Sequence, residues 1–79
     1  MVQPKVIVYA THTCPWCHKA MEFLKAKKIK FTTKMVDDDE KAADEMIEKS
    51  DQRGVPVLDI GGKIIVGFDE QAIKKALKL

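Results

Sequence analysis

The hydrophobic residues of the chain fall into short blocks whose spacing changes from one block to the next. Residues 6–9 form a continuous β-branched and aromatic run, which is typical of a central strand buried on both faces. After a polar break, apolar residues recur at helical spacing at Cys17, Ala20, Met21 and Leu24, and Trp16 and Phe23 widen this face. The pattern predicts a first helix that begins close to Cys14, has Pro15 in its first turn and ends near Lys28.

The middle of the chain repeats this order of strand and helix. Residues 31–36 alternate imperfectly but predict a second strand. Asp38 or Asp39 can then cap a second helix that continues to about Ser50. We expect the inward face of this helix to carry Ala42, Ala43, Met46 and Ile47.

The last third of the chain predicts a hairpin and a final helix. Residues 57–60 and 64–66 are typical of strands, and Gly61 and Gly62 between them indicate a tight hairpin. Asp69 can cap the last helix, whose buried residues are expected to be Ile73, Ala76 and Leu77.

The order of these elements, β-α-β-α-β-β-α, predicts an α/β fold. The first helical crossover requires a parallel pair of strands, whereas the hairpin requires an antiparallel pair. We therefore expect a four-stranded mixed sheet with helices on both faces. Nothing in the sequence repeats and no Gly/Ser linker divides it, so residues 1–79 are predicted to form a single domain.

Composition narrows the class of protein. The chain has 79 residues, of which 46% are hydrophobic, as in an ordinary globular domain. Its 14 basic and 12 acidic residues are too evenly balanced to indicate nucleic acid binding. The N-terminus lacks the features of a secretory signal, and the longest apolar run, residues 6–10, is far below the roughly 18 residues that indicate a membrane span. We expect a cytoplasmic protein that binds neither nucleic acid nor membranes.

Both cysteines of the chain lie in the segment THTCPWCHKA, residues 11–20, which allows three interpretations. Cys14 and Cys17 can cycle between a dithiol and a disulfide, or can join His12 and His18 as four metal ligands. In the order C-x-x-C-H, the segment also matches a covalent haem attachment site. Haem attachment requires export and a mostly helical fold, which the predicted strands disfavour. Structural zinc sites usually draw ligand pairs from two separated segments, so a metal site is less favoured, although a cluster bridged by Cys14 from two subunits is an alternative.

The dithiol interpretation explains most of the segment. A thiol at a helix N-terminus meets unpaired N–H groups and the positive end of the helix dipole, and both stabilise a thiolate. Cys14 lies at that end, whereas Cys17 lies one turn further along on the same side. Since two residues separate them, Cys17 can attack a mixed disulfide on Cys14 without rearrangement of the chain. We therefore predict a redox-active pair.

Three motifs in register give the chain a resemblance to the glutaredoxin family. CPWC at residues 14–17 resembles the C-P-aromatic-C active site of that family, and GVP at residues 54–56 resembles its segment ending in a cis-proline. VGFDEQAI at residues 66–73 resembles the turn that precedes its last helix. The resemblance covers nearly the whole chain and implies the glutaredoxin form of the thioredoxin fold.

The resemblance also implies a role for individual residues. Cys14 is expected to be the nucleophile and Cys17 the resolving thiol of a redox-active disulfide, without a metal or an organic cofactor. Val55 is expected to offer its backbone to the substrate beside a cis Pro56. The positions expected to complete the substrate groove are Trp16, Gly67, Phe68 and Asp69. Packing on Ala20 is the alternative for Trp16, core packing is the alternative for Phe68, and Asp69 is a helix cap in either case.

The implied function is a small thiol–disulfide oxidoreductase of electron transport and cell redox homeostasis, acting as a monomer on protein or small disulfides. The alternative is a metal- or iron–sulfur-cluster-binding carrier that uses the same cysteines. Family members that use glutathione typically have a Lys before the first Cys, a Thr before Val-Pro and two glycines before the last turn. Here these positions are Thr11, Gly54, and Val66 with Gly67, and we expect the ammonium of Lys19 to point to solvent rather than replace that Lys. These departures favour the ribonucleotide-reductase-type redoxins, which a flavin-dependent thioredoxin reductase recharges in place of glutathione.

Overall fold

The computed structural model describes residues 5–77 as a sheet flanked by three helices. Residues 1–4 and 78–79, at the two ends of the predicted 1–79 domain, lie outside the described residues. The element order confirms the predicted β-α-β-α-β-β-α arrangement. The elements are β1 (Val6–Ala10), α1 (Pro15–Ala26), β2 (Thr32–Met35), α2 (Glu40–Ser50), β3 (Val57–Ile60), β4 (Lys63–Val66) and α3 (Glu70–Leu77).

The sheet has four strands in the order β2-β1-β3-β4, with β1 and β3 at its centre. β1 pairs with β2 in parallel, and Ala10 lies opposite Met35 at the carboxyl ends of the two strands. β3 is antiparallel to both β1 and β4. This arrangement confirms the predicted four-stranded mixed sheet, because the crossover through α1 gives the parallel pair and the hairpin gives the antiparallel one.

Alternation along β1 divides the core between the two faces of the sheet. Val6, Val8 and Ala10 point to the face covered by α1 and α3, where they pack with Leu24 and Ile73 among other residues. Ile7 and Tyr9 point to the opposite face, where they pack with Met46 of α2 and Val57 of β3. Every residue of β1 is buried, as its uninterrupted apolar run predicts. The helices therefore cover both faces of the sheet, as expected.

Local signals set the ends of the helices close to the predicted positions. Cys14 is the N-cap of α1 and Pro15 is its first helical residue. α1 ends at Ala26, earlier than predicted, because Lys27 is its C-cap and Lys28 adopts a left-handed conformation with φ +58°. Of the two candidate caps of α2, the structure uses Asp39, whose Oδ1 accepts hydrogen bonds from the backbone N–H groups of Lys41 and Ala42 at 3.0 and 3.3 Å.

The strands differ from the prediction by one residue at several ends. β2 is Thr32–Met35, shorter than the predicted 31–36, and Val36 instead donates its N–H to the carbonyl of Ala10 at 2.8 Å. The hairpin between β3 and β4 turns at Gly61 and Gly62, whose φ angles of +59° and +97° are costly for residues with a side chain. Within residues 5–77, no helix is long and apolar enough to cross a membrane.

Candidate active site

Cys14 lies where the chain leaves β1 and enters α1. As the N-cap, it accepts a hydrogen bond through Sγ from the backbone N–H of Cys17 at 3.3 Å. The Cys14 side chain is half-buried, and its Sγ lies 4.0 Å from the carbonyl oxygen of Val55. The amino end of α1 therefore presents Cys14 Sγ at the surface while an N–H group stabilises negative charge on it.

Cys17 lies one turn further along α1 in a different environment. Its side chain is completely buried and packs in the core beneath α1. Burial raises the pKa of the Cys17 thiol to about 12, and its hydrogen bond with Cys14 adds to the rise. Both cysteines are free thiols in this structure. The pair is thus asymmetric, since Cys17 is held protonated at neutral pH and Cys14 is the accessible sulfur.

The segment that precedes β3 forms one wall of the site. The peptide bond between Val55 and Pro56 is cis, the isomer that the resemblance implies. Val55 is half-buried and places its carbonyl against Cys14, whereas Pro56 is buried. The carbonyl of Pro56 accepts a hydrogen bond from the N–H of Gly67 at 2.7 Å. This bond joins the segment before β3 to the segment before α3. Four of the expected site residues therefore lie together, namely Cys14, Val55, Pro56 and Gly67.

Aromatic side chains form the other side of the site. Trp16 is 56% exposed, so more than half of its surface is open to solvent. Its ring centroid lies 6.5 Å from that of Phe68, and the Phe68 ring lies 6.0 Å from that of Phe23 in an edge-on arrangement. Phe68 also packs partly against the core, as the alternative interpretation of this residue expects. Asp69 is exposed and caps α3, accepting the N–H of Ala72 on Oδ1 at 3.2 Å.

Lys19 is exposed, and its ammonium lies 4.5 Å from the centroid of the exposed Trp16 ring, a contact that was not predicted. A lysine three residues after an aromatic residue on a helix can fold back towards the helix N-terminus, and attraction between the cation and the ring favours this rotamer. A cation therefore does lie on the aromatic side of the site.

The two histidines do not form a ligand set with the cysteines. His12 Nδ1 lies 2.9 Å from Asp37 Oδ2, and the backbone N–H of His12 donates to the same oxygen at 3.1 Å. His12 Nε2 lies 3.4 Å from an Asp38 carboxylate oxygen. Within residues 5–77, the one group of three possible metal ligands is His12 with these two aspartates, and it includes no cysteine. The geometry therefore gives no support to the four-ligand interpretation of the CPWC segment.

The contact between His12 and Asp37 was missed in the sequence. A hydrogen bond from the His12 ring to the Asp37 carboxylate raises the pKa of His12, and hydrogen bonds from the backbone N–H and the ring of His12 lower the pKa of Asp37. The predicted parallel pair of strands could have revealed this contact, because parallel pairing of β1 with β2 brings the residues that follow the two strands to the same edge of the sheet. The contact ties the segment before Cys14 to the turn before α2.

Comparisons with known proteins agree with this geometry. The family model described as glutaredoxin matches residues 6–65. A glutaredoxin-like 8.6 kDa protein in the rubredoxin operon of Clostridium pasteurianum is 49% identical over 71 residues, which are 90% of this chain and 95% of that protein. Glutaredoxin 3 of Escherichia coli strain K12 is 34% identical over 65 residues, 82% of this chain and 78% of that protein. A glutaredoxin from Archaeoglobus fulgidus has a crystal structure similar to this one, with a TM-score of 0.87 at 27% identity, covering 96% of this chain and 88% of that chain.

Proposed function

The chain belongs to the glutaredoxin family and is a thiol–disulfide oxidoreductase, and from this premise we propose that it reduces disulfides of proteins and small molecules with Cys14 as nucleophile and Cys17 as resolving thiol. One observation carries the proposal. Cys14 Sγ lies at the amino end of α1 beside the carbonyl of Val55, and the protonated, buried Cys17 lies one turn behind it.

The proposed reaction is two successive thiol–disulfide exchanges. In the first, the thiolate of Cys14 attacks one sulfur of the substrate disulfide, the substrate S–S bond breaks, and the other substrate sulfur leaves as a thiolate. In the second, Cys17 gives its proton to the substrate thiolate released in the first step, and its sulfur attacks Cys14 Sγ. The mixed S–S bond breaks, and the second substrate sulfur leaves as a thiolate. Two electrons pass from the dithiol to the substrate, and a Cys14–Cys17 disulfide remains.

The first exchange also prepares the second. The hydrogen bond with Cys14 and the charge on Cys14 both contribute to the raised pKa of Cys17. A mixed disulfide on Cys14 removes that charge, so loss of the Cys17 proton becomes easier when the second attack is needed. Burial, the largest cause of the raised pKa, is unchanged by this step, so the loss of charge on Cys14 assists the second attack but does not alone set the order of the steps.

The walls of the site are proposed to hold the substrate beside Cys14. The backbone of Val55 can pair with an extended peptide next to Pro56, in the manner of an added strand. Trp16 and Phe68 can pack against apolar side chains, and Gly67 and Asp69 border the same surface. No metal or organic cofactor takes part in the proposed exchange.

The proposed reductant is a thioredoxin-reductase-type flavoenzyme, with glutathione as the alternative. Glutathione is a peptide with two carboxylates, so a site that holds it benefits from a side-chain cation near the reactive sulfur. The position before Cys14 that carries Lys in glutathione-using family members is Thr11 here. A charge-assisted hydrogen bond contributes about 1.5–3 kcal/mol, or about one to two decades in affinity. Such a cycle suits a monomer in the cytoplasm, where NADPH-dependent reductases keep thiols reduced.

Two coupled assays test this proposal. NADPH consumption is measured with a small disulfide as acceptor, first with a thioredoxin-reductase-type flavoenzyme and then with millimolar glutathione and glutathione reductase. We expect the flavoenzyme to drive faster turnover, and Thr11→Lys to raise the glutathione-driven rate about tenfold or more by supplying the missing cation. Cys14→Ser is the control and should be inactive in both assays.

The outcomes separate the two parts of the proposal. A wild-type rate with glutathione equal to or above the flavoenzyme rate would contradict the proposed reductant but leave the dithiol reaction standing. A protein that reduces no disulfide in either assay and instead binds a coloured cluster lost in Cys14→Ser would contradict the reaction itself and support the carrier.

A further inference from the structure

One flank of α1 carries aromatic and basic side chains in alternation. Trp16, Lys19, Phe23 and Lys27 are spaced by three or four residues, so at about 100° per residue they project in nearly the same direction. Phe68, from the segment before α3, packs against this flank through both aromatic rings. We call these five residues the aromatic–lysine flank, and its Trp16 end lies two residues from Cys14 along the chain.

Each lysine of the flank is held over an aromatic ring. The ammonium of Lys19 lies 4.5 Å from the centroid of Trp16, and that of Lys27 lies 5.8 Å from the centroid of Phe23. Attraction to the ring reduces the freedom of the long side chain without neutralising its charge. The two cations are therefore displayed at defined positions on the surface.

Among the residues that the structure describes, these two cations have no carboxylate partner, whereas three other lysines have one. Lys34, Lys49 and Lys74 each form an ion pair with a carboxylate. Among residues 5–77, no carboxylate lies within ion-pair distance of Lys19 or Lys27.

The acidic residues closest in sequence do not neutralise the flank. Glu22 follows Lys19 by three residues, but its carboxylate does not lie within ion-pair distance of the Lys19 ammonium. Asp69, next to Phe68, accepts the N–H of Ala72 in the cap of α3, and Glu70 pairs with Lys74. The positive charge of the flank thus remains available to a partner.

We propose that the aromatic–lysine flank binds an acidic, extended segment of the protein substrate, next to the cysteine that reacts with Cys14. This inference rests on the proposed function and names its preferred class of substrate. Carboxylates of the segment pair with Lys19 and Lys27, and apolar side chains pack on the exposed ring of Trp16 and on Phe68. Charge complementarity of this kind favours encounter and excludes basic partners.

The length of the flank limits where the acidic residues must lie. Eleven residues separate Trp16 from Lys27, which on a helix correspond to about 16 Å. An extended peptide rises about 3.3 Å per residue, so about five residues span the same distance. The carboxylates are therefore expected within about five residues of the reactive cysteine of the substrate.

Three peptide disulfides test the inference. They share one parent sequence and differ only in whether the five residues beside the cysteine contain Glu, Gln or Lys. The specificity constant kcat/KM is measured for each peptide with the 79-residue chain. We expect the wild type to prefer the Glu peptide over the Gln peptide about fivefold and to disfavour the Lys peptide. This preference should shrink when NaCl rises from about 20 to 300 mM, because exposed charges are screened.

Three double variants assign the preference to the flank. Two of them remove two positive charges each, and the third keeps both charges. Lys19→Gln with Lys27→Gln should reduce the Glu-to-Gln ratio towards one, and Lys19→Arg with Lys27→Arg should retain it. Lys25→Gln with Lys41→Gln, on the far side of α1 and on α2, should leave the ratio as in the wild type. Thermal unfolding of each variant confirms that it is folded.

Reduction of the uncharged Gln peptide by the wild type tests the proposed function alone. The ratio of kcat/KM for the Glu peptide to that for the Gln peptide tests the flank. Equal kcat/KM values for the three peptides in the wild type, or a preference that survives in Lys19→Gln with Lys27→Gln, would overturn the inference. A surface of aromatic and basic residues can also bind single-stranded nucleic acid. Inhibition by a short oligonucleotide in the absence of any preference for the Glu peptide would overturn the inference in favour of that partner.

Discussion

At the scale of single residues, the chemistry depends on two sulfur atoms in unlike surroundings. Cys14 Sγ receives an N–H hydrogen bond at the helix terminus, whereas the Cys17 side chain is completely buried. Burial raises the pKa of Cys17 to about 12, so its thiolate is scarce at neutral pH. In the proposed reaction, the substrate therefore meets one competent nucleophile, and the second thiol reacts only after the mixed disulfide forms.

This asymmetry predicts the order of alkylation. When the reduced, folded protein meets a limiting amount of iodoacetamide at about pH 7.5, Cys14 should carry at least about ten times more label than Cys17, because only exposed thiolates react. Peptide mass spectrometry measures the two labels. Protein unfolded in urea is the control and should label both cysteines equally. Preferential labelling of Cys17 in the folded protein would contradict the proposed order of attack.

At the scale of elements, the carboxyl ends of β1 and β2 hold the active-site segment in place. The parallel pairing continues beyond the strands as a hydrogen bond from the N–H of Val36 to the carbonyl of Ala10. His12 then binds Asp37 through both its ring and its backbone N–H. The segment that leads to Cys14 is thus attached to the turn before α2, independently of α1.

The pair of His12 and Asp37 predicts a pH dependence of stability. The pKa of His12 is raised by its hydrogen bond with Asp37. The stability that the protonated His12 contributes is therefore fully present below its unfolded-state pKa of about 6.5 and is lost as pH rises through its higher folded-state pKa. The pKa of Asp37 is lowered, so the contribution is also lost in acid, as pH falls from about 3.9 through the lower folded value. The difference in Tm between the wild type and His12→Gln should therefore be largest near pH 5–6 and decline on both sides.

A double-mutant cycle assigns this effect to the pair. In an Asp37→Asn background, the further change His12→Gln should no longer produce a Tm difference that peaks near pH 5–6. A peak of the same height in both backgrounds would show that His12 titrates against other groups.

At the scale of the whole molecule, one central strand joins two cores. Leu24 packs on the face of the sheet covered by α1 and α3, and Met46 packs on the face covered by α2. A chain of 79 residues is expected to have a free energy of unfolding of about 4–12 kcal/mol. The free energy lost when packing on either face is removed is therefore a large part of the free energy of unfolding.

Truncation on either face should destabilise the molecule to a similar extent. Leu24→Ala and Met46→Ala should each lower the free energy of unfolding by about 2–5 kcal/mol, because each leaves a cavity in a buried cluster. Urea denaturation followed by circular dichroism measures the change. Val66, whose side chain is 52% exposed, is the control, and Val66→Ala should change stability by less than about 0.5 kcal/mol. If one core variant were as stable as that control, the corresponding face would not be a core.

Local patterns predicted the fold because each element has a signal in its own sequence. The apolar run of β1, Pro15 after the N-cap of α1 and the glycines of the hairpin all act over a few residues. The active site is a different case, because Cys14 and Val55 are 41 positions apart and meet only through the sheet. Their proximity was expected from family resemblance and not from periodicity. The position of the Lys19 ammonium over the Trp16 ring was not predicted, because a rotamer that depends on a neighbouring ring is not encoded in helical spacing.

The central claim is that Cys14 attacks the substrate and Cys17 resolves the mixed disulfide. The most direct test incubates Cys17→Ser and Cys14→Ser, each in reduced form, with a peptide disulfide and analyses them by intact mass and peptide mapping without reductant. We expect Cys17→Ser to accumulate a mixed disulfide with one half of the peptide on Cys14. Cys14→Ser should accumulate essentially none, because its remaining thiol is buried and protonated. Accumulation of a mixed disulfide on Cys17 in Cys14→Ser, at a rate equal to that of the other variant, would contradict the account.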